Sequence, residues 1–506
     1  MKSALIDQIA SGYAPKGAFI SLGKAKLDGE VLPEAEVKLA LSTFNRHGLI
    51  SGSTGSGKTK TLQILAENLS AQGVPCLLMD IKGDLSGVAQ PGDAQNAKIL
   101  ERHALLGMPY TAQGSPVELL GLGVEAVGTP MRATVSEFGP LLLSRVLGLS
   151  EAQEGVMAVL FKYCDDEGLP LLDLEDLKTA LHYLSGPGKT ELAAQYGAIS
   201  PASVGTLLRK VVALEQEGGH LFFGEPSFEV EDLMRIDSDG RGVLGVLRLM
   251  DLQDKPKLFS TFMLSLLAEL YENLPEAGDR DRPKLVLFID EAHLVFKEAS
   301  KPLLDQLETV VKLIRSKGVG LFFCTQLPGD IPMAVLSQLG LKIQHSLRAF
   351  TARDRKDIRL VAENYPLSEF YKVEQLITEL GIGEALVTGL NEKGIPTPLV
   401  HTYLVAPASR MDVLNETEVR TLLGASKLEA KYRKTVDRDS AHERLEQKLK
   451  KAMAAESETA AAKTARPKRP EPSALDKMLR SPVARSFGVA LAGSLTRALM
   501  GALKKR

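Results

Sequence analysis

Residues Gly52, Ser53, Thr54, Gly55, Ser56, Gly57, Lys58 and Thr59 spell G-x-x-x-x-G-K-[S/T], between a short apolar strand signal at Leu49 and Ile50 and a helical run. The pattern carries a chemistry. Glycines at 52, 55 and 57 let backbone N–H groups curl around a β-phosphate, Lys58 reaches the β and γ oxygens, and the Thr59 hydroxyl is placed for Mg²⁺. Leu62, Leu65 and Leu69 recur at i, i+3 and i+7, so a helix begins near Gly57 and aims its positive end at the phosphates. The expected ATP cradle runs from Gly52 through Lys60. A glycine-rich turn with a chance Lys-Thr explains the residues less well, because the strand, loop and helix that the motif needs are all present.

Hydrolysis needs more than a cradle. The apolar run Leu285 to Ile289 ends in Asp290-Glu291, so a buried strand delivers adjacent carboxylates. Asp290 is expected to hold Mg²⁺ through water as a Walker-B acid does. Glu291 is expected to polarise the attacking water, a general-base role worth about 10²- to 10⁴-fold. Gln326 ends a third strand signal, where it is placed to sense the γ-phosphate; the following Pro328-Gly329-Asp330 makes a plain strand terminus an equal explanation. Positive charge at the γ-phosphate points to Arg315 or Arg348 as an arginine finger acting in trans. Arginine at a helix C-terminus is also favoured by the macrodipole alone. Asp80, Lys82 and Asp84 follow the second strand, either facing the nucleotide or forming a solvated turn. His293 has no partner at metal-ligand spacing and is expected to be structural.

These groups need a scaffold. With 506 residues, 44% hydrophobic and 25% charged, the chain is long enough for several domains. Its net charge of -2 leaves no overall nucleic-acid footprint, so any DNA-binding groups must be gathered locally. Cys76, Cys164 and Cys324 are far apart and odd in number, which points to a reducing compartment, and two of them lie in apolar strand runs where a buried thiol is expected. No secretory leader and no run of 18 apolar residues occurs, so a cytoplasmic protein without a transmembrane segment is expected. Strand and helix signals alternate from about 45, predicting an α/β core with a mostly parallel sheet covered by helices on both faces. Helical periodicity over 138–164, 174–184 and 203–216 marks an α-helical insertion. At the C-terminus, Phe487, Leu491, Leu495, Leu499 and Leu503 recur every fourth position in a basic stretch, one apolar stripe of a helix. That stripe suits a membrane surface, DNA, or docking on the same or a neighbouring chain.

Several motifs in fixed order resemble the bacterial HerA-like ATPases of the YjgR type, within the HerA/FtsK superfamily. They are Arg46 to Thr59, Thr61-Leu-Gln63, Leu65-Ala-Glu67, Asp80-Ile-Lys-Gly-Asp-Leu-Ser86, Leu270 to Glu276, Pro283 to His293, Thr325 to Pro332 and Gln344 to Thr351. The resemblance implies a RecA-like core and a homo-oligomeric ring, usually a hexamer, with ATP between subunits and double-stranded DNA through the centre. It also implies Thr59 and Asp290 on Mg²⁺, Glu291 as base, Gln326 as sensor and an arginine acting on the neighbour's ATP. Archaeal HerA carries an N-terminal β-barrel domain that engages a nuclease. Only about 45 residues precede the P-loop here, so the nuclease partnership is not carried over.

The expected organisation is a short N-terminal segment (1–44) and a RecA-like ATPase core in two parts (45–129 and 241–406) around the helical insertion (130–240). A charged helical segment (407–455), a linker (456–472) and the basic amphipathic tail (473–506) follow. The leading expectation is an ATPase motor that translocates on or unwinds double-stranded DNA. The alternative from another class is an ATP-gated ring or scaffold that does not move along DNA. The Asp-Glu pair and Gln326 disfavour a small-molecule kinase.

Overall fold

Uninterrupted apolar runs set the architecture. The segments Leu285–Ile289 and Val319–Thr325 are buried at every position, as strands covered on both faces must be. The computed structural model describes residues 1–451 apart from 123–126, 254, 279, 298, 300 and 437. The expected linker, the basic tail and the last four residues of the charged segment lie outside the described residues. Met1–Glu446 form one compact unit, and Gln447–Arg506 form a second, of which 447–451 are described and helical.

The strands are β1 (Phe19–Leu27), β2 (Glu30–Ala40), β3 (Gly48–Ser51), β4 (Cys76–Asp80), β5 (Val117–Leu122) and β6 (Thr129–Met131). They continue with β7 (Leu244–Arg248), β8 (Leu285–Ile289), β9 (Val319–Thr325), β10 (Leu341–Gln344), β11 (Glu384–Thr388) and β12 (Val400–Leu404). All join one 12-stranded sheet in the order β2-β1-β12-β11-β10-β3-β9-β8-β4-β7-β5-β6. From β10 to β6 every pairing is parallel. From β10 outward through β11, β12, β1 and β2 every pairing is antiparallel. This is the mostly parallel α/β sheet expected, and the N-terminal hairpin β1–β2 extends that same sheet.

The chain leaves β3, forms the helix Lys58–Ala71 and returns as β4, three strands away. Later segments fill the gap with β9 and β8. A crossover of this kind opens a crevice above the carboxyl ends of β3, β9 and β8, where α/β sheets bind ligands. Leu62, Leu65, Ala66 and Leu69 of that helix are buried in one cluster with Ile50, Leu78, Phe288 and Phe322. Phe322 also lies 5.4 Å from Phe44 and 5.1 Å from Phe288, ring centre to ring centre.

The polar side of the same helix is strapped down by residues 408–411. Glu67 accepts from Ala408 N–H at 2.6 Å, from Ser409 N–H at 3.1 Å and from the Ser409 hydroxyl at 2.6 Å. Gln63 donates to Ser409 Oγ at 2.8 Å and to the Arg410 carbonyl at 3.0 Å. Gly87 lets the strap pass: a Cβ there would stand 1.8 Å from the Asp412 carbonyl oxygen.

Between β6 and β7 the described chain is dominated by helices, among them Val135–Leu147, Glu151–Asp166, Leu174–Ser185 and Pro201–Leu214. Phe138 on the first of these meets Phe222 and Phe223 edge-on at 6.1 and 5.4 Å. Cys76, Cys164 and Cys324 are free and buried, and Cys76 and Cys324 lie on β4 and β9, where buried thiols were expected. Among the described residues no helix is long and apolar enough to cross a membrane.

The strap has a measurable energetic role. Glu67→Ala leaves one buried and one part-buried N–H donor without their carboxylate and is expected to destabilise the fold by about 1–3 kcal/mol. Urea denaturation reads this; a change within experimental error would show that the strap does not brace the helix.

Candidate functional site

Strand β3 delivers the phosphate loop to the crevice, and its neighbour β10 holds the loop in place. Ser53 donates to the Ser346 carbonyl through both its N–H, at 2.8 Å, and its hydroxyl, at 2.9 Å. Ser56 Oγ donates to the Ser53 carbonyl at 2.8 Å, and His345 N–H donates to the Ser51 carbonyl at 2.7 Å. His345 Nε2 lies 2.9 Å from the Thr61 hydroxyl on the following helix. Gly52, with φ of 153°, has no room for a side chain: a Cβ would stand 2.5 Å from His345 Cβ. Gly55 and Gly57 also take left-handed backbone, at φ of 78° and 111°. Thr54 and Gly55 form the exposed crest of the loop.

Lys58 is 5% exposed and folds back to donate to the Ser53 carbonyl at 3.0 Å. Burial lowers its pKa, while the charges of Glu291 and Asp290 support the ammonium. Thr59, half-buried, follows in the first turn of the helix. The Lys60 side chain donates to the Met411 carbonyl at 2.6 Å and to Gln63 Oε1 at 3.3 Å.

Two strands away, β8 ends in the acids. Asp290 is 1% exposed, and among the described residues its Oδ2 has no hydrogen-bond partner. Burial raises its pKa, with Lys82 opposing and Glu291 adding to the rise. Glu291 takes a left-handed φ of 46°, a strain of order 1–3 kcal/mol for a residue other than glycine. Its carboxylate is ion-paired with Lys82 and lies 3.2 Å from His293 Nδ1. Burial pushes the Glu291 pKa up, but the contacts with His293 and Lys82 outweigh it and hold the group at about 2. A hard-oxygen pair, the Thr59 hydroxyl and the orphaned Asp290 oxygen, fits the ligand chemistry of Mg²⁺.

Asp80 serves its own loop. Its buried carboxylate accepts from the N–H groups of Gly83, Asp84 and Leu85 at 2.7, 3.1 and 3.1 Å, which sets the turn that projects Lys82. His293, expected to be structural, lies against the expected base. Only the i, i+2 spacing of Glu291 and His293 could have signalled this, since the contact depends on the strained turn at Glu291.

The remaining candidates divide between the two edges of the sheet. Gln326 is exposed at the carboxyl end of β9, between the P-loop strand and β8; the Thr325 hydroxyl is taken by Asp330 at 2.8 Å. Arg348 is exposed on this edge too, two residues beyond Ser346. Arg315 is exposed in the turn that precedes β9, on the opposite edge, where it lines a cleft of about 570 Å³ with Arg46 and Arg280. At a rise of about 3.3 Å per residue, β9 separates Arg315 from the phosphate edge by about 20 Å.

A phosphate loop opening a helix, with paired acids at the end of a nearby parallel strand, defines the class: this is a P-loop ATPase. The chain belongs to the Helicase HerA-like C-terminal family, whose model matches residues 26–506. It is 23% identical over 397 residues to the DNA double-strand break repair helicase HerA of Sulfolobus acidocaldarius, covering 74% of this chain and 69% of that protein. It is 31% identical over 178 residues to "Probable helicase MJECL08" of Methanocaldococcus jannaschii, covering 34% of this chain and 32% of that one. Among solved structures it resembles the bacterial conjugative coupling protein TrwBdeltaN70 in its trigonal form with sulphate. The TM-score is 0.51 at 16% identity, covering 82% of this chain and 94% of the other. The unbound monoclinic form gives 0.50 at 15% identity, covering 81% and 94%. That likeness is one of fold.

The packing behind the loop has a pH signature. Burial holds His345 at about 4. An unfolded histidine takes its proton near pH 6.5, so the unfolded state binds more protons between pH 6.5 and 4, and stability falls as the pH drops through that window. His345→Gln should remove about 3 kcal/mol of this loss between pH 7 and 4. Denaturation at a series of pH values tests it, and a pH slope identical to that of the unsubstituted chain would contradict it.

Proposed function

We propose that the chain is an Mg²⁺-dependent, ATP-hydrolysing ring motor of the HerA/FtsK type that translocates on or unwinds double-stranded DNA. The observation that carries the reading is the convergence of Lys58, the orphaned Asp290 oxygen and the ionised Glu291 on one crevice. Bound Mg²⁺·ATP supplies the transferable phosphoryl group and a cation to spread its charge. Thr59 and Asp290 would hold the metal. Lys58 exchanges the Ser53 carbonyl for the β and γ oxygens, so its ammonium is already poised over the loop. Glu291, kept ionised, orients a water and takes its proton, and Gln326 reads the γ-phosphate from the end of β9.

A ring is supported by the open crest of the loop at Thr54 and Gly55 and by Arg315 on the far edge, beyond reach of its own P-loop. A neighbouring chain, six in a ring on the family pattern, is what Arg315 or Arg348 would serve as a finger. Double-stranded DNA is favoured over a purely gating role because one relative is a DNA double-strand break repair helicase and another is named a probable helicase. A cytoplasmic setting follows from that substrate. A nuclease partner is not part of the proposal.

Lys58→Ala is expected to abolish turnover. Glu291→Gln should keep ATP binding while losing about 10²- to 10⁴-fold in rate; near-normal turnover would remove Glu291 as the base. Duplex DNA should stimulate ATP hydrolysis by the unsubstituted chain, and the stimulation should weaken as salt rises. ATP turnover indifferent to duplex, with no salt-dependent DNA binding, would sink the motor reading in favour of an ATP-gated assembly.

A further inference from the structure

The crevice holds a second lysine. Lys82 is ion-paired with Glu291, and its charge also acts on Asp290 and Lys58. Its position is built in: Asp80 spends its whole carboxylate on the N–H groups of residues 83–85, and Gly83 takes a left-handed φ of 80°. Because β4 lies directly beside β8, this turn reaches across to the acids. An ordinary stabilising ion pair needs none of this, since a partly exposed pair contributes only about 0–1 kcal/mol. The Lys82 side chain is 39% exposed and that of Glu291 only 8%, so the lysine is the partner with freedom to move.

A charge count says where it moves. Without ligand, Lys58 and Lys82 balance Asp290 and Glu291. Mg²⁺·ATP brings roughly two further negative charges to the crevice, whereas Mg²⁺·ADP brings about one and no γ-phosphate, and a low-dielectric site tolerates such an excess poorly. Lys58 is one cation for all of these oxygens. Resting on the nucleotide-site reading given above, we propose that Lys82 is a second phosphate-contacting cation and a latch on Glu291. It pairs with Glu291 when no γ-phosphate is present, and it turns to the terminal phosphate when ATP binds. The same movement leaves the Glu291 carboxylate to His293 and to water. Lys82 thereby distinguishes ATP from ADP within a single chain.

The test is equilibrium binding of a non-hydrolysable ATP analogue and of ADP, both with Mg²⁺, to the full chain and its Lys82→Met and Lys82→Arg variants. Lys82→Met should weaken the ATP analogue by about tenfold or more, the worth of one charge-assisted hydrogen bond, and leave ADP affinity nearly unchanged. Lys82→Arg should retain most of the preference for the triphosphate. Equal losses for both nucleotides would assign Lys82 a structural role, and unchanged affinities would remove it from the site; either result overturns the proposal. If the unsubstituted chain bound neither nucleotide, the reading of the site itself would fall. Retained ADP binding shows that the variant is folded.

Discussion

Two adjacent carboxylates at the end of a buried strand cannot both stay ionised unless the fold brings compensating charge to them. Asp290 and Glu291 stand at that point, with Asp290 almost wholly buried. Their neighbours divide the work unevenly. Lys82 and His293 fall to Glu291 and hold it well below the usual carboxylate range. Asp290 keeps an oxygen with no partner among the described residues and is pushed the other way by burial. Contacts with His293 and Lys82 thereby keep Glu291 an anion, while burial favours the neutral form of Asp290.

The sheet makes this arrangement. Placing β9 and β8 between β3 and β4 opens the crevice, and the parallel run sends the P-loop, Gln326, the acids and Lys82 to one edge. The opposite edge carries Arg315 and a cleft of mixed charge, lined also by Asp281 and Glu392. A single chain thus presents a phosphate loop on one edge and an exposed arginine on the other.

How much of this could be read from the sequence depends on how far apart the partners lie. The phosphate loop is contiguous, and its strand, turn and helix are encoded within about twenty residues, so that local structure was legible. Asp290-Glu291 announced itself through the apolar run before it, and the same pattern gave a parallel α/β sheet. What stayed hidden were contacts that depend on strand order. Lys82 meets Glu291 only because β4 pairs with β8, more than two hundred residues later. His293 faces the acid because of a left-handed turn that no propensity signals. The 408–411 strap joins a helix to a segment more than three hundred residues away. The edge on which Arg315 lies was available from chain direction alone, since it precedes β9 while Gln326 ends it.

The most direct measurement is a side-chain-resolution structure of the full chain with Mg²⁺ and a non-hydrolysable ATP analogue. The expected result is nucleotide wrapped by residues 52–60, metal against Thr59 and Asp290, a water on Glu291, and Lys82 turned onto the terminal phosphate. Nucleotide bound elsewhere, or a metal that leaves Asp290 untouched, would contradict the assignment of this crevice as the hydrolytic site.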